Sequence, residues 1–279
     1  MKKQEVVKFN REYFNGKTAL VTGGAGGIGL ALAEELLKSN ASKVVIADIN
    51  QEKLDESVAR LGAEYGGNHI TGAVCDVTKE EQVQGMIAQA VEFFDGSFDI
   101  LFNNAGATYF DWFLEVTDEM WEKAFSLNFY SALYGCRAAL PIMIEQGSGQ
   151  IINIISGVAF MPMACWARYS TTKAALNAAT MVMRAEHWDD NIKISAATPG
   201  TTATNIFAAA GHDNPEVTQT PEQSACRILH GVVNNDRVIF GDDGDVSGAK
   251  GGYNQSKQKI YDKYLLRVAR ERREGKTAV

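Results

Sequence analysis

The sequence predicts a single α/β domain of three layers: an open, doubly wound parallel sheet with helices on both faces. Three observations predict it. Short apolar runs alternate with amphipathic helical segments along most of the chain. The apolar runs are continuous rather than alternating, above all Gln150-Ile151-Ile152-Asn153-Ile154-Ile155-Ser156, as suits parallel strands buried on both faces. A glycine-rich turn, Thr22-Gly23-Gly24-Ala25-Gly26-Gly27-Ile28-Gly29, joins the first strand to the first helix. Together they give a Rossmann-type topology. With 279 residues, no internal repeat and no linker, one domain accounts for the chain.

The elements follow in order. Residues 1–15 are a polar extension carrying Phe9, Tyr13 and Phe14, as ready to dock on the body or a neighbouring subunit as to fray. These aromatics are expected to help order the site or an adjoining subunit. Asn15-Gly16 marks a turn, and the main domain is expected over 16–250. Lys17–Thr22 reads as a buried strand and Ile28–Lys38 as a helix whose apolar side is Leu30, Leu32, Ala33, Leu36 and Leu37. Ser42–Asp48 is the second strand, 51–61 a helix, His69–Val77 the third strand, and Lys79–Phe94 a helix. Phe98–Asn104 is the fourth strand. A long helix runs from Asp118 to Leu140 and is expected to stop at Pro141. After the fifth strand comes a helix from Arg168 to Trp188, then the strand Ile192–Thr198. Residues 202–220 have no clear period. Pro221–Val233 reads as a helix, Arg237–Phe240 as the last strand, and 251–279 as a charged tail, helical over 256–273.

Composition narrows the function classes. The formal net charge is −7, and basic residues do not gather on one element, which argues against nucleic acid or anionic membrane as partners. No apolar stretch is long enough to span a bilayer, and the basic start (Met1-Lys2-Lys3) is not followed by an apolar signal core. Cys75, Cys136, Cys165 and Cys226 are scattered and read as reduced thiols, so a cytoplasmic location is expected. His69, His187, His212 and His230 have no metal-ligand spacing, and no metal is expected.

Two constellations carry chemistry. In the first, a glycine turn between strand and helix lets backbone amides approach a pyrophosphate at a helix N-terminus. Gly23, Gly27, Ile28 and Gly29 are its members, and Asp48 ends the second strand where an acid would accept ribose hydroxyls and repel a 2′-phosphate. Gly24, Ala25, Ile49 and Asn50 nearby are uncharged, so NAD is expected over NADP. Asp76 and Val77 could hold the adenine edge. In the second, Ser156, Tyr169 and Lys173 stand thirteen and four residues apart. On a helix Tyr169 and Lys173 share a face. An ammonium beside a phenol favours the phenolate and is expected to lower the tyrosine pKa from about 10. Such a tyrosine can exchange a proton with a carbinol oxygen while a hydride moves to or from a nicotinamide.

With these residues in view, the chain over roughly 16–245 resembles the short-chain dehydrogenase/reductase family, in its shorter single-domain branch. The motifs are Thr22-Gly23-x-x-x-Gly27-x-Gly29, Asn103-Asn104-Ala105-Gly106, Asn128, Ser156, Tyr169-x-x-x-Lys173 and Pro199-Gly200. The resemblance implies that Asn104, Ala105 and Gly106 steady the sheet near the nicotinamide ribose. Asn128 would hold a water linking Lys173 to solvent, Ser156 would bind the substrate oxygen, and Tyr169 would be the general acid/base. Lys173 would also hold the nicotinamide ribose. Pro199, Gly200 and Thr201 would lie against the nicotinamide, with Thr204 at its carboxamide. The two long helices would form a dimer face, commonly doubled into a tetramer.

Loops at the carboxyl ends of the strands should form the substrate mouth. Phe160, Met161, Trp166 and Phe207 are its expected members, and their apolar character suits a bulky lipophilic alcohol or ketone. No basic residue is aimed at a carboxylate; Arg168, the nearest, is expected to lie along its helix. The aromatic N-terminal extension and the charged tail resemble those of bacterial hydroxysteroid dehydrogenases, implying a steroid, with 20β chemistry as the specific guess. Another lipophilic or sugar-like carbonyl compound, or a non-catalytic NAD-binding sensor, stays open.

Overall fold

The computed structural model describes residues 6–206 and 219–276. Seven strands, β1 (Thr18–Thr22), β2 (Lys43–Asp48), β3 (Ile70–Val74), β4 (Ile100–Asn103), β5 (Gly149–Ile154), β6 (Ile192–Thr198) and β7 (Val238–Phe240), form one sheet in the order β3-β2-β1-β4-β5-β6-β7. All its pairings are parallel. The strand order reverses between β1 and β4, where Ala19, Leu20 and Val21 pair with Ile100, Leu101 and Phe102. In open α/β sheets that crevice takes the ligand.

The continuous apolar strands supply two cores because successive side chains point to opposite faces. Ala19 and Val21 join Leu32 and Leu36 of α1 (Gly27–Lys38), Leu54 and Leu61 of α2 (Gln51–Tyr65), and Ile228 and Leu229 of α7 (Pro221–Val233). Leu20 points the other way, towards Val83 and Ile87 of α3 (Glu80–Phe93) and Ala139 and Met143 of α5 (Ser131–Gln146). α6 (Ala167–Glu186) covers the same face further along.

Several boundaries differ from expectation. The helix expected to end at Pro141 instead runs on to Gln146, closing at Gly147 with φ +73°. Burial of Leu140 and Met143 holds its last turns, and that packing outweighs the missing proline donor. α2 continues past residue 61 to Tyr65. The expected tail is not separate from the body. Asp243–Gly251 forms an unexpected helix, α8, capped by the Asp242 side chain, and α9 (Gln258–Arg273) folds back onto the domain. There Val268 is buried, and Arg272 lies over the rings of Phe110 and Trp166 and donates to the Ala164 carbonyl.

The N-terminal aromatics dock on the body, but far from where they were expected to act. Phe14 is fully buried, and Tyr13 donates to Gln150 Oε1 (2.8 Å) and accepts from Lys193 Nζ (3.1 Å). Gln150 and Lys193 open β5 and β6, so these side chains close the amino end of the sheet, opposite the carboxyl ends that carry the site. They therefore lie away from the site.

Candidate active site

The glycine loop is built by close approach. Gly23 has φ +65°, a left-handed conformation that a side chain disfavours. A Cβ on Gly29 would sit 2.2 Å from the Gly23 carbonyl oxygen, so the first turn of α1 meets β1 without room for a methyl group. Thr22 Oγ1 accepts from the amides of Asn104 and Ala105 (3.0 Å each), and Asn104 Nδ2 donates to the Thr22 carbonyl (2.8 Å). The loops after β1 and β4 are thereby tied across the crevice.

Asp48 closes the outer end. Its carboxylate accepts from the amides of Ala25 (3.2 Å) and Asn50 (3.0 Å), which turns it towards the glycine loop. A cleft of about 610 Å³ runs past Gly23, Gly27, Ile28 and Asp48 to Asn104, Ala105, Gly106 and Thr204. Lys53, in the first turn of α2, also lines it. That cation was not expected, since Gly24, Ala25, Ile49 and Asn50 are uncharged; the turn of a helix brings the third residue on back to the same side. Asp76 instead caps its own turn: its carboxylate accepts from the Thr78 hydroxyl (2.6 Å) and amide (3.0 Å). Neither Asp76 nor Val77 lines the described cleft.

The inner end holds the candidate catalytic set. Ser156 follows β5, and Tyr169 and Lys173 lie one turn apart on α6, both buried. Lys173 Nζ donates to the Ile154 carbonyl (2.8 Å) and reaches Gly106, where a Cβ would be 3.3 Å from it. Burial lowers its pKa to about 8. The tyrosine departs from expectation. Burial pushes Tyr169 up to about 12; the Ser156 hydroxyl draws it down, and the carboxylate of Asp245 pushes it further up. Desolvation, not the lysine, governs the phenol here, because the sequence spacing could not say how dry the site is.

Asn128 sits in a π-helical turn (Ser126–Tyr130) between α4 (Asp118–Phe125) and α5. Its side chain clamps the Ala107 backbone, accepting from the amide and donating to the carbonyl (2.9 Å each), with Thr172 Oγ1 at 3.4 Å. An i+5 turn of this kind commonly marks a functional site.

A second cavity of about 430 Å³ opens beside Ser156 and Tyr169 and shares Ile28, Thr108, Thr204 and Ile206 with the first. Its walls include Pro199, Gly200, Thr201, Met161, Met163 and Trp166. Phe160 was expected there, but it packs on Phe240 (ring centroids 5.8 Å apart) within a core cluster. Phe207 lies outside the described residues. Arg168 does not run along its helix: it bonds Asp111 Oδ2 (2.8 and 2.5 Å) and covers the Tyr109 ring. The acids Asp242, Asp243 and Asp245, together with Gln219 and Tyr264, line this cavity and were not foreseen. Their run was visible as Gly241-Asp242-Asp243-Gly244-Asp245, but without β7 in place nothing aimed it at the site.

Comparison with known proteins agrees with this geometry. The profile of the family described as short chain dehydrogenase matches residues 17–215. Dehydrogenase/reductase SDR family member 4 from Oryctolagus cuniculus is 33% identical over 207 residues, covering 74% of this chain and 78% of its own. A 2,5-dichloro-2,5-cyclohexadiene-1,4-diol dehydrogenase from Sphingobium indicum is 37% identical over 193 residues, 69% of this chain and 76% of its own. Among solved structures, a short-chain dehydrogenase/reductase from Burkholderia phymatum in complex with NAD superposes with a TM-score of 0.79. At 22% identity, over 88% of this chain and 95% of that one, it speaks to the fold alone.

Proposed function

The chain belongs to the short-chain dehydrogenase/reductase family, and from that premise we propose that it interconverts a lipophilic secondary alcohol and its ketone with NAD(H). The observation that carries this reading is the joining of the two cavities, one lined by the glycine loop and Asp48, the other by Ser156 and Tyr169. The tight Gly23–Gly29 contact and the carboxylate of Asp48 fit a dinucleotide backbone and an adenosine ribose. A bound nicotinamide would supply or take up the hydride.

The protein's part is proton transfer and positioning. With its pKa near 12, Tyr169 is protonated at neutral pH and ready to donate to a carbonyl oxygen held beside Ser156. The Lys173 ammonium lies behind Gly106, where it can hold ribose hydroxyls and feed a proton relay. Asn128 can hold a relay water through its backbone alone, since its side-chain amide is engaged by Ala107 and Thr172. Pro199, Gly200, Thr201 and Thr204 are assigned to the nicotinamide end. At the adenine end the Asp76-Val77 turn is assigned through its backbone. An assembled Ser156, Tyr169 and Lys173 argues against a non-catalytic sensor.

Val158, Met161, Met163, Trp166 and Tyr264 give the substrate cavity an apolar body, which supports a ring-bearing alcohol; a 20β-hydroxysteroid is the specific form of that reading. Among the described residues no helix is long and apolar enough to cross a membrane, in keeping with a cytoplasmic enzyme. Exposed Tyr130, Ile144 and Val182 on the two long helical segments support a homodimer or homotetramer through α5 and α6.

The test is oxidation of NADH and NADPH against ketosteroids, small ketones, sugars and acyl-thioester ketones. NADH-dependent turnover of a lipophilic ketone is expected; cofactor binding with no turnover of any of them would sink the reading. Asp48→Ala removes the acid but leaves Lys53, so the NADPH/NADH ratio of kcat/KM should rise at least ~10-fold, about 1.4 kcal/mol. An unchanged ratio would assign the discrimination elsewhere.

A further inference from the structure

The substrate cavity holds polar groups that proton transfer at the carbinol does not use. Asp245, in the first turn of α8, lies against the residue after Ser156: a Cβ on Gly157 would fall within 1.8 Å of Asp245 Oδ1. Its Oδ2 is buried and has no hydrogen-bond partner among the described residues, while burial and the Asp242 charge push the carboxyl up to about 6 and the nearby Thr198 side chain and Gly200 backbone draw it down. Two further side chains of the same cavity share that condition. Thr108 is 8% exposed with Oγ1 unpartnered, and Gln219 is 5% exposed with Oε1 unpartnered. Buried polar atoms ordinarily have partners, and three without one around a single cavity point to a ligand that brings them.

Neighbouring Asp242 is already occupied, accepting from the amides of Thr201 (2.8 Å) and Asp245 (2.8 Å). That cap fixes α8 to the Pro199-Gly200-Thr201 loop and so fixes Asp245 beside Ser156. The charge of this carboxylate also reaches Tyr169, where it raises the phenol's pKa.

We propose that Asp245 is a specificity-determining residue that accepts a hydrogen bond from a second hydroxyl next to the reacting carbinol, so that the substrates are diols and the corresponding hydroxyketones. The assignment deepens the oxidoreductase reading and rests on it. A hydroxyl offers a single O–H to the carboxylate and leaves its oxygen to accept from a donor such as Thr108. An ammonium would bring three donors, and with Asp242 and Asp243 also lining the cavity it is the rival the experiment must exclude. An isolated ketone or alcohol would leave Asp245 Oδ2 without a partner, the condition under which enzymes discriminate most strongly.

The experiment compares matched pairs in the full-length protein: trans-cyclohexane-1,2-diol against cyclohexanol for oxidation, and 2-hydroxycyclohexanone against cyclohexanone for reduction. In each pair the hydroxylated member should have kcat/KM at least ~10-fold higher, with most of the difference in KM. Asp245→Leu should bring the ratio close to one, and Asp245→Asn, which keeps one acceptor, should leave it in between. A ratio near one in the unaltered protein overturns the proposal, as does a ratio that survives Asp245→Leu. Preference for trans-2-aminocyclohexanol over the diol overturns the hydroxyl assignment. If no alcohol or ketone of any kind is turned over, the oxidoreductase reading itself fails and this inference falls with it.

Discussion

Tyr169→Phe is expected to lower turnover at least ~10²-fold near neutral pH while leaving NADH affinity in place. The change removes one oxygen from a buried ring that packs edge-on against Trp166 (6.2 Å between centroids), so the wall keeps its shape. What disappears is the proton donor beside Ser156. Steady-state turnover together with NADH fluorescence titration reads both halves. Near-normal turnover would remove Tyr169 from the acid/base role. Loss of NADH binding along with turnover would show that the hydroxyl also serves the cofactor site. The pKa near 12 adds a direction: the protonated phenol suits reduction at neutral pH, and alcohol oxidation, which needs the phenolate, should speed up as pH rises.

Lys173→Met should separate activity from stability. Turnover should again fall at least ~10²-fold, because the ammonium behind Gly106 is lost. Stability should respond in the opposite sense. Lys173 titrates near 8 in the folded chain against an ordinary 10.5, so the unfolded chain holds this proton more tightly. Its burial therefore costs stability at pH 7, and that cost is relieved as pH rises from about 8 to about 10.5. Against this, the Ile154 carbonyl loses its 2.8 Å partner in the variant, a penalty that does not depend on pH. Denaturant unfolding of both proteins at pH 7 and pH 10 isolates the titrating part. The stability of the variant relative to the parent should drop by roughly 2 to 3 kcal/mol between the two pH values. A difference that does not move with pH would mean that Lys173 is not held near 8. The cost at neutral pH is what a catalytic lysine in a dry site entails.

The elements that could be read in advance are those whose information is local. The strand Ile192–Thr198 and the helix Pro221–Val233 have the bounds expected of them, and the helix start is held by Thr220 and Gln223 in a capping box. The glycine turn, Asp48, Ser156, Tyr169 and Lys173 were legible because each needs a particular residue type at a fixed spacing. Phe160 was not, since an aromatic in a loop carries no sign of which way it turns, and Phe240 decides that from β7. Pro141 misled for a related reason: a helix breaker acts locally, while the burial of Leu140 and Met143 that overrides it comes from packing against the sheet.

By itself, then, the sequence determined the class of fold, the glycine loop and which residues are candidates for proton transfer, because periodicity and short-range spacing are properties of the chain. The tertiary structure alone decided how dry the site is, and with it the raised Tyr169 and lowered Lys173. It also decided that the acidic run at the start of α8 places Asp245 at the cavity, and that the charged C-terminal helix becomes a wall of it. Those outcomes depend on which distant segments exclude water from a side chain, and desolvation is a property of the assembled surroundings that no spacing along the chain encodes.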